Sequence, residues 1–154
     1  MKKQLKFLMP YLPSVICMAV IFIFSAQTAE NSSTMSDSVV EAVYGNEYIG
    51  SHSVTLFVRK AAHFLEYSLL GALLYIGNRK ALNKRTGVCV IIASAIAGLY
   101  AVTDEIHQYF VPGRACMLSD VILDFCGSLT GASFAAGIIL LYSRIKRNNI
   151  ERNE

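Results

Sequence analysis

The sequence predicts an all-α polytopic membrane protein, a bundle of four transmembrane helices with both termini in the cytoplasm. Three observations carry that expectation. Hydrophobic residues make up 54% of the 154 positions and charged residues only 16%, with a mean hydropathy of +0.44, so few elements have a polar face to turn to water. Uncharged runs of membrane length recur along the chain. Lys and Arg are concentrated in segments that a four-span topology puts on one side. The length suits a single domain, 1–154.

The first run follows a basic N-terminus, MKKQLK. Phe7 to Ala29 then holds 23 residues without a charge. A secretory signal peptide has the same outline. However, Ser25-Ala26-Gln27-Thr28-Ala29 fits a small-x-small cleavage site poorly, and further apolar runs follow, so this is read as a first span. Pro10 and Pro13 lie near its start, where a missing N–H costs little. Residues 30–52 form a polar connection. Within it Val39, Val40, Val43 and Tyr44 share one face of a short surface helix that Ser36 is placed to cap and that Gly45 and Gly50 break.

A second span is expected from about Ser53 to Asn78, followed by NRKALNKR (78–85) as a short basic loop. The third runs from Thr86 to Thr103. Its small residues Gly87, Ala93, Ser94, Ala95, Ala97 and Gly98 permit close helix approach, and the helix can continue through Gln108 until Pro112-Gly113 ends it. The fourth, Phe125 to Ser143, has 19 uncharged residues, with Gly127-x-x-x-Gly131 as a packing face. A basic tail, 144–154, closes the chain.

Sidedness follows from charge. Lys2, Lys3, Lys6, Arg79, Lys80, Lys84, Arg85, Arg144, Lys146, Arg147 and Arg152 are 11 of the 14 Lys and Arg residues. All lie in the N-terminus, the second-to-third loop or the tail, which the positive-inside rule makes cytoplasmic. The basic residues are thus where topology wants them, and nothing points to nucleic-acid binding.

The same topology brings the unusual polar residues to the opposite, outer face. Ser25 and Gln27 end the first span, and Arg59, Lys60, His63, Glu66 and Tyr67 open the second. Asp104, Glu105, His107 and Gln108 end the third, Arg114 lies in the turn, and Asp120 and Asp124 open the fourth. Polar groups set against membrane-length runs are expensive, about 2.5–3.5 kcal/mol for an Asp or Arg at a helix centre. Lys60, His63 and Tyr67 share a helix face, as do Asp104 with Gln108 and Asp120 with Asp124. Five acids here (Glu66, Asp104, Glu105, Asp120, Asp124) face three bases (Arg59, Lys60, Arg114). Burying them together needs a charged His63, a bound cation or a protonated carboxylate. Blander readings exist: Asp120 as a helix-start acid, Glu66 in a surface pair, Tyr67, Tyr109 and Phe110 as an interfacial aromatic belt, and the whole set as a structural polar network.

Cys17, Cys89, Cys116 and Cys126 lack metal-like spacing. They are expected to be small buried hydrophobes, with only Cys116 exposed. A metal site from His63, Glu105, His107 and Asp120 would have no recognised ligand spacing, and no cofactor signature is present. Nothing in the sequence sets an oligomeric state.

Four motifs occur in order across 25–131: Phe24-Ser25-x-Gln27, Lys60-x-x-His63-Phe64-x-x-Tyr67-x-x-Leu70-Gly71, Asp104-Glu105-x-x-Gln108-x-Phe110-Val111-Pro112-Gly113-Arg114, and Ser119-Asp120-x-x-x-Asp124-x-x-Gly127. In these the chain resembles the VanZ-like family, which often has Asn at the position of Asp124. The resemblance implies a multi-pass protein of the bacterial cytoplasmic membrane, with its polar site facing the extracytoplasmic side. It further implies a link to low-level resistance to teicoplanin-type lipoglycopeptides, with a lipid-linked envelope precursor or a lipoglycopeptide as partner beside the lipid bilayer. It supplies motif residues (Ser25, Gln27, Lys60, Tyr67, Gln108, Arg114, Asp120 and Asp124) but no catalytic roles. The alternative from the residues is an intramembrane enzyme acting on a lipid-linked or phosphorylated substrate. There Asp104 or Glu105 would be the base, His63 the acid or nucleophile, and Lys60 and Arg114 the holders of a phosphate or carboxylate. Ion transport is disfavoured, because no ionisable relay crosses the cytoplasmic half of any span.

Overall fold

A computed structural model describes residues 7–45 and 52–152, and every regular element among them is helical. A 3-10 turn at Met9–Tyr11 leads into α1 (Leu12–Ser25), then α2 (Ala29–Tyr44), α3 (His52–Leu82), α4 (Thr86–Tyr109) and α5 (Leu118–Glu151). Two of these, α4 and α5, are long and apolar enough to cross a membrane, and the α1–α2 pair would make a third if its 106° bend is one broken span. At 31 residues, or about 46 Å at 1.5 Å per residue, α3 has the length to span, but Arg59, Lys60 and Glu66 interrupt its apolar run.

The close approach of α3 and α5 sets the bundle. Gly71, Gly127 and Gly131 lie at their crossing. A Cβ at Gly131 would overlap the Ser68 carbonyl, one at Gly71 would overlap the Ser128 carbonyl, and one at Gly127 would stand 2.6 Å from the Phe64 oxygen. Backbones this close are what small residues permit in a bilayer, where no hydrophobic effect draws helices together. Ser68 Oγ joins the two helices, donating to Phe64 O (2.7 Å) and Gly127 O (3.0 Å).

Helix α4 packs through a stripe of small residues at four-residue spacing, Cys89, Ala93, Ala97 and Ala101, all fully buried. They meet Tyr67, Leu70, Leu74 and Tyr75 of α3, Ala132, Ala135 and Ala136 of α5, and Ile21 of α1. The opposite faces carry Ile91, Leu99, Phe134, Ile138 and Leu141 exposed, the surface expected of helices solvated by lipid. At the end remote from the polar cluster, the buried Asn78 accepts from Tyr11 Oη (2.9 Å) and donates to Cys89 O (3.1 Å), so one amide ties the 3-10 turn before α1 to α3 and α4.

Several expectations are corrected. The first helix stops at Ser25 rather than Ala29, and Thr28 caps a new helix, accepting from Asn31 N at 3.4 Å. Ser36 is therefore no cap: it lies mid-helix and donates to Ser32 O. The expected basic loop 78–85 shrinks to residues 83–85, because α3 continues to Leu82 with Arg79 and Lys80 in its last turn, where cations suit the helix dipole. The fourth helix begins at Leu118, not Phe125. Cys126, expected buried, is exposed on α5. Gly50, the second expected breaker of the surface helix, lies outside the described residues.

Candidate functional site

The buried stripe of α4 changes character in its last two turns. Small residues give way to Asp104, Glu105 and Gln108, all at most 4% exposed, so the face that packs the bundle also delivers its acids. Asp104 Oδ2 accepts from Ser25 Oγ at the end of α1 (2.8 Å) and from Gln108 Nε2 (3.0 Å), and the same amide lies 3.3 Å from Ser25 Oγ. Glu105 Oε2 accepts from Met117 N (2.9 Å), satisfying one of the free amides at the start of α5. Both carboxylates thus hold helix ends in place.

The α4–α5 turn is shaped for contact with the α1–α2 bend. Gly113 has φ +77°, a backbone that disfavours any side chain, and a Cβ there would stand 3.0 Å from the Ala29 methyl. Ala29 N donates to Pro112 O (3.3 Å). Arg114 then reaches back, its Nε donating to Gln27 O (3.2 Å) and its Nη1 to Gln108 Oε1 (3.4 Å). Desolvation, and after it the charge of Arg59, hold this guanidinium below its ordinary pKa.

Two adjoining cavities open here. The first, about 150 Å³, is lined by residues that include Ser25, Gln27, Arg59, His63, Glu66 and Arg114. The second, about 130 Å³, includes Arg59, Lys60, His63, Gln108, Arg114 and Asp120. Arg59, His63 and Arg114 therefore stand between the two. Lys60 is paired with Asp120, whose Oδ1 also accepts from Ser119 Oγ (3.1 Å). Among the described residues the only other ion pair is Arg147–Glu151, far along the C-terminal helix.

The structure thus brings Ser25, Gln27, Lys60, His63, Gln108, Arg114 and Asp120 to cavity walls. Asp104, Glu105, Tyr67 and Asp124 line neither. Tyr67 and Asp124 are 0% exposed deeper in the bundle, and neither the tyrosine hydroxyl nor either Asp124 oxygen has a hydrogen-bond partner among the described residues. His107 turns its ring onto Phe22, with centroids 4.3 Å apart, and no group of three His, Cys, Asp or Glu among the described residues is disposed to hold a metal ion. Tyr109 and Phe110 are exposed and meet edge to face. Arg59, Glu66, Ser32 and Met35 are wall residues that the sequence motifs do not single out. Arg59 and Glu66 were visible on the helix face of His63, whereas Ser32 and Met35 depend on the fold-back of α2.

A family model, VanZ/LLP1, matches residues 11–142. The chain belongs to the VanZ/LLP1 family. The match spans every helix that contributes to the two cavities. No curated protein and no solved structure matches the chain. As a VanZ-like chain with helices able to cross a bilayer, it is a membrane protein.

Proposed function

We propose that this VanZ-like protein works in the bacterial cytoplasmic membrane. It would lower susceptibility to teicoplanin-type lipoglycopeptides through a polar site at the outer face that engages a lipid-linked envelope precursor or the lipoglycopeptide itself. The observation that carries the reading is the pair of cavities that all five helices and the Arg114 turn build at one end of the bundle. The proposed topology has α1, α3, α4 and α5 as spans, α2 along the outer surface, and both termini inside. Its supports are the clustering of 11 of the 14 Lys and Arg residues in three sequence segments that a four-span topology puts on one side and the 106° bend after α1, which suits a helix leaving the bilayer for its surface.

Nothing favours the enzymatic alternative. Asp104 and Glu105, its proposed bases, line neither cavity, and each is engaged by donors from elsewhere in the fold. The test is deletion of the gene, followed by measurement of teicoplanin susceptibility and of labelled antibiotic bound to whole cells. Increased susceptibility is expected. Unchanged susceptibility together with unchanged binding would count against the reading.

A further inference from the structure

The cationic groups of the two cavities are unevenly spent. Lys60 is neutralised by Asp120. Arg114 uses two of its N–H donors on Gln27 and Gln108, and a guanidinium carries five. Arg59 takes part in no ion pair or hydrogen bond among the described residues. Both arginines line both cavities beside His63. Against them stands Glu66, on the wall of the first cavity and without an ion pair among the described residues. The walls therefore keep a net positive charge while the remaining acids, Asp104, Glu105 and Asp124, are buried behind them.

Two half-enclosed guanidiniums facing one space repel each other; Asp104, Glu105 and Glu66 offset this in part at Arg114, and an anion between the two would offset it further. The donors come from separate elements: Arg59 from α3, Arg114 from the α4–α5 turn, and the Ser32 hydroxyl from α2. A planar carboxylate is satisfied by a single arginine fork, whereas donors arriving from several directions suit a tetrahedral oxyanion. Space is sufficient: the first cavity is about 150 Å³, where one water needs roughly 10–15 Å³. Its rim is apolar, with Phe24 and Met35 on the wall, 40% and 47% exposed. An anion bound here has a hydrocarbon-compatible surface beside it.

We propose that Arg59 and Arg114, with His63 and Ser32, form a binding site for the phosphate group of a membrane lipid, its hydrocarbon chain passing over Phe24 and Met35. This rests on the outer-face site of the proposed function and names the chemistry of its ligand. The phosphate displaces water from the two guanidiniums and offsets their repulsion. Glu66 is left to accept a hydrogen bond from a neighbouring hydroxyl of the headgroup.

The full-length protein in nanodiscs of zwitterionic lipid is titrated with a fluorescent polyprenyl phosphate and with the polyprenyl alcohol of the same chain. Inorganic phosphate serves as competitor. The phosphate form should bind at least about ten-fold more tightly than the alcohol, and Arg59→Gln should remove that preference, as expected for a lost charge-assisted contact. Arg114→Gln should do the same but also releases Gln27 and Gln108, so Arg59, which holds no other element among the described residues, is the deciding variant. Equal binding of phosphate and alcohol, or an unchanged preference in Arg59→Gln, overturns the proposal. Displacement of the lipid by inorganic phosphate at equal concentration overturns the lipid part, since the chain would then contribute nothing. A protein that alters teicoplanin susceptibility yet does not discriminate phosphate from alcohol would lose this inference while keeping its envelope role.

Discussion

Replacing Gly131 by Ala tests the α3–α5 crossing on which the whole site depends. The added methyl would overlap the Ser68 carbonyl, and at the neighbouring Gly127 a Cβ would stand 2.6 Å from Phe64 O, where real Cβ atoms essentially never come within 3.0 Å. The overlap at Gly131 is the deeper of the two, so the helices must separate by roughly an ångström or more, and the Ser68–Gly127 hydrogen bond stretches with them. Overpacking of this kind costs about 1–3 kcal/mol, and an interhelical hydrogen bond in a membrane averages roughly 0.6 kcal/mol. Ala also has a helix propensity better than Gly by about 0.8–1.0 kcal/mol, which would partly hide the loss. Gly137→Ala supplies the control. It lies on the same helix, and nothing stands within 4 Å of the point its new methyl would occupy, so it takes the propensity gain without the clash. The difference between the two variants isolates the packing cost, expected at about 1–3 kcal/mol. Reversible unfolding in mixed micelles, followed by circular dichroism, measures it. Equal stability of Gly131→Ala and Gly137→Ala would refute the backbone-to-backbone crossing.

Other expectations follow from the same structure. Asn78→Ala leaves the Tyr11 hydroxyl and the Cys89 carbonyl without their buried partner and should destabilise by about 1–3 kcal/mol, against a smaller loss for Tyr11→Phe in the same unfolding assay. Asp104→Asn keeps an oxygen to accept from Ser25 and Gln108, so it should fold near wild type where Asp104→Ala does not, and thermal denaturation in detergent separates the two. The proposed topology puts the exposed Cys116 outside. A membrane-impermeant maleimide should label it in intact cells, while a cysteine at Asn83 reacts only after permeabilisation, and the reverse pattern would invert the orientation.

Much of this arrangement could be read in the chain, for identifiable reasons. The Gly127–Gly131 pair is a local pattern with one geometric use, and the structure uses it; of the small residues expected to pack α4, Ala93, Ser94 and Ala97 are buried, whereas Gly87 and Ala95 are exposed and Cys89 and Ala101 complete the stripe. Pro112-Gly113 ends α4 because proline cannot continue a helix and Gly113 takes a positive φ. The second helix was harder. Thr28 with Glu30 in the following turn is an N-terminal signature, but it lies inside an uncharged run that reads as one span, so the break after Ser25 was hidden by hydropathy. Arg79 and Lys80 look like loop residues by charge, yet both are good helix formers, and the buried Asn78 anchors the turn before them. The candidate site was legible as a set of helix ends but not as walls and interior. Asp104 and Glu105 share the sequence signature of reactive groups, and only tertiary structure shows their partners to be Ser25, Gln108 and the start of α5.

The central claim is that the cavities between these helix ends are what the protein uses at the envelope. Arg59→Gln, expressed in the deletion strain at the wild-type protein level, tests it most directly through teicoplanin susceptibility. The account predicts that this variant fails to restore protection while the wild-type gene restores it. Full protection by Arg59→Gln would contradict the claim, because the cavity arginine with no partner among the described residues would then be dispensable.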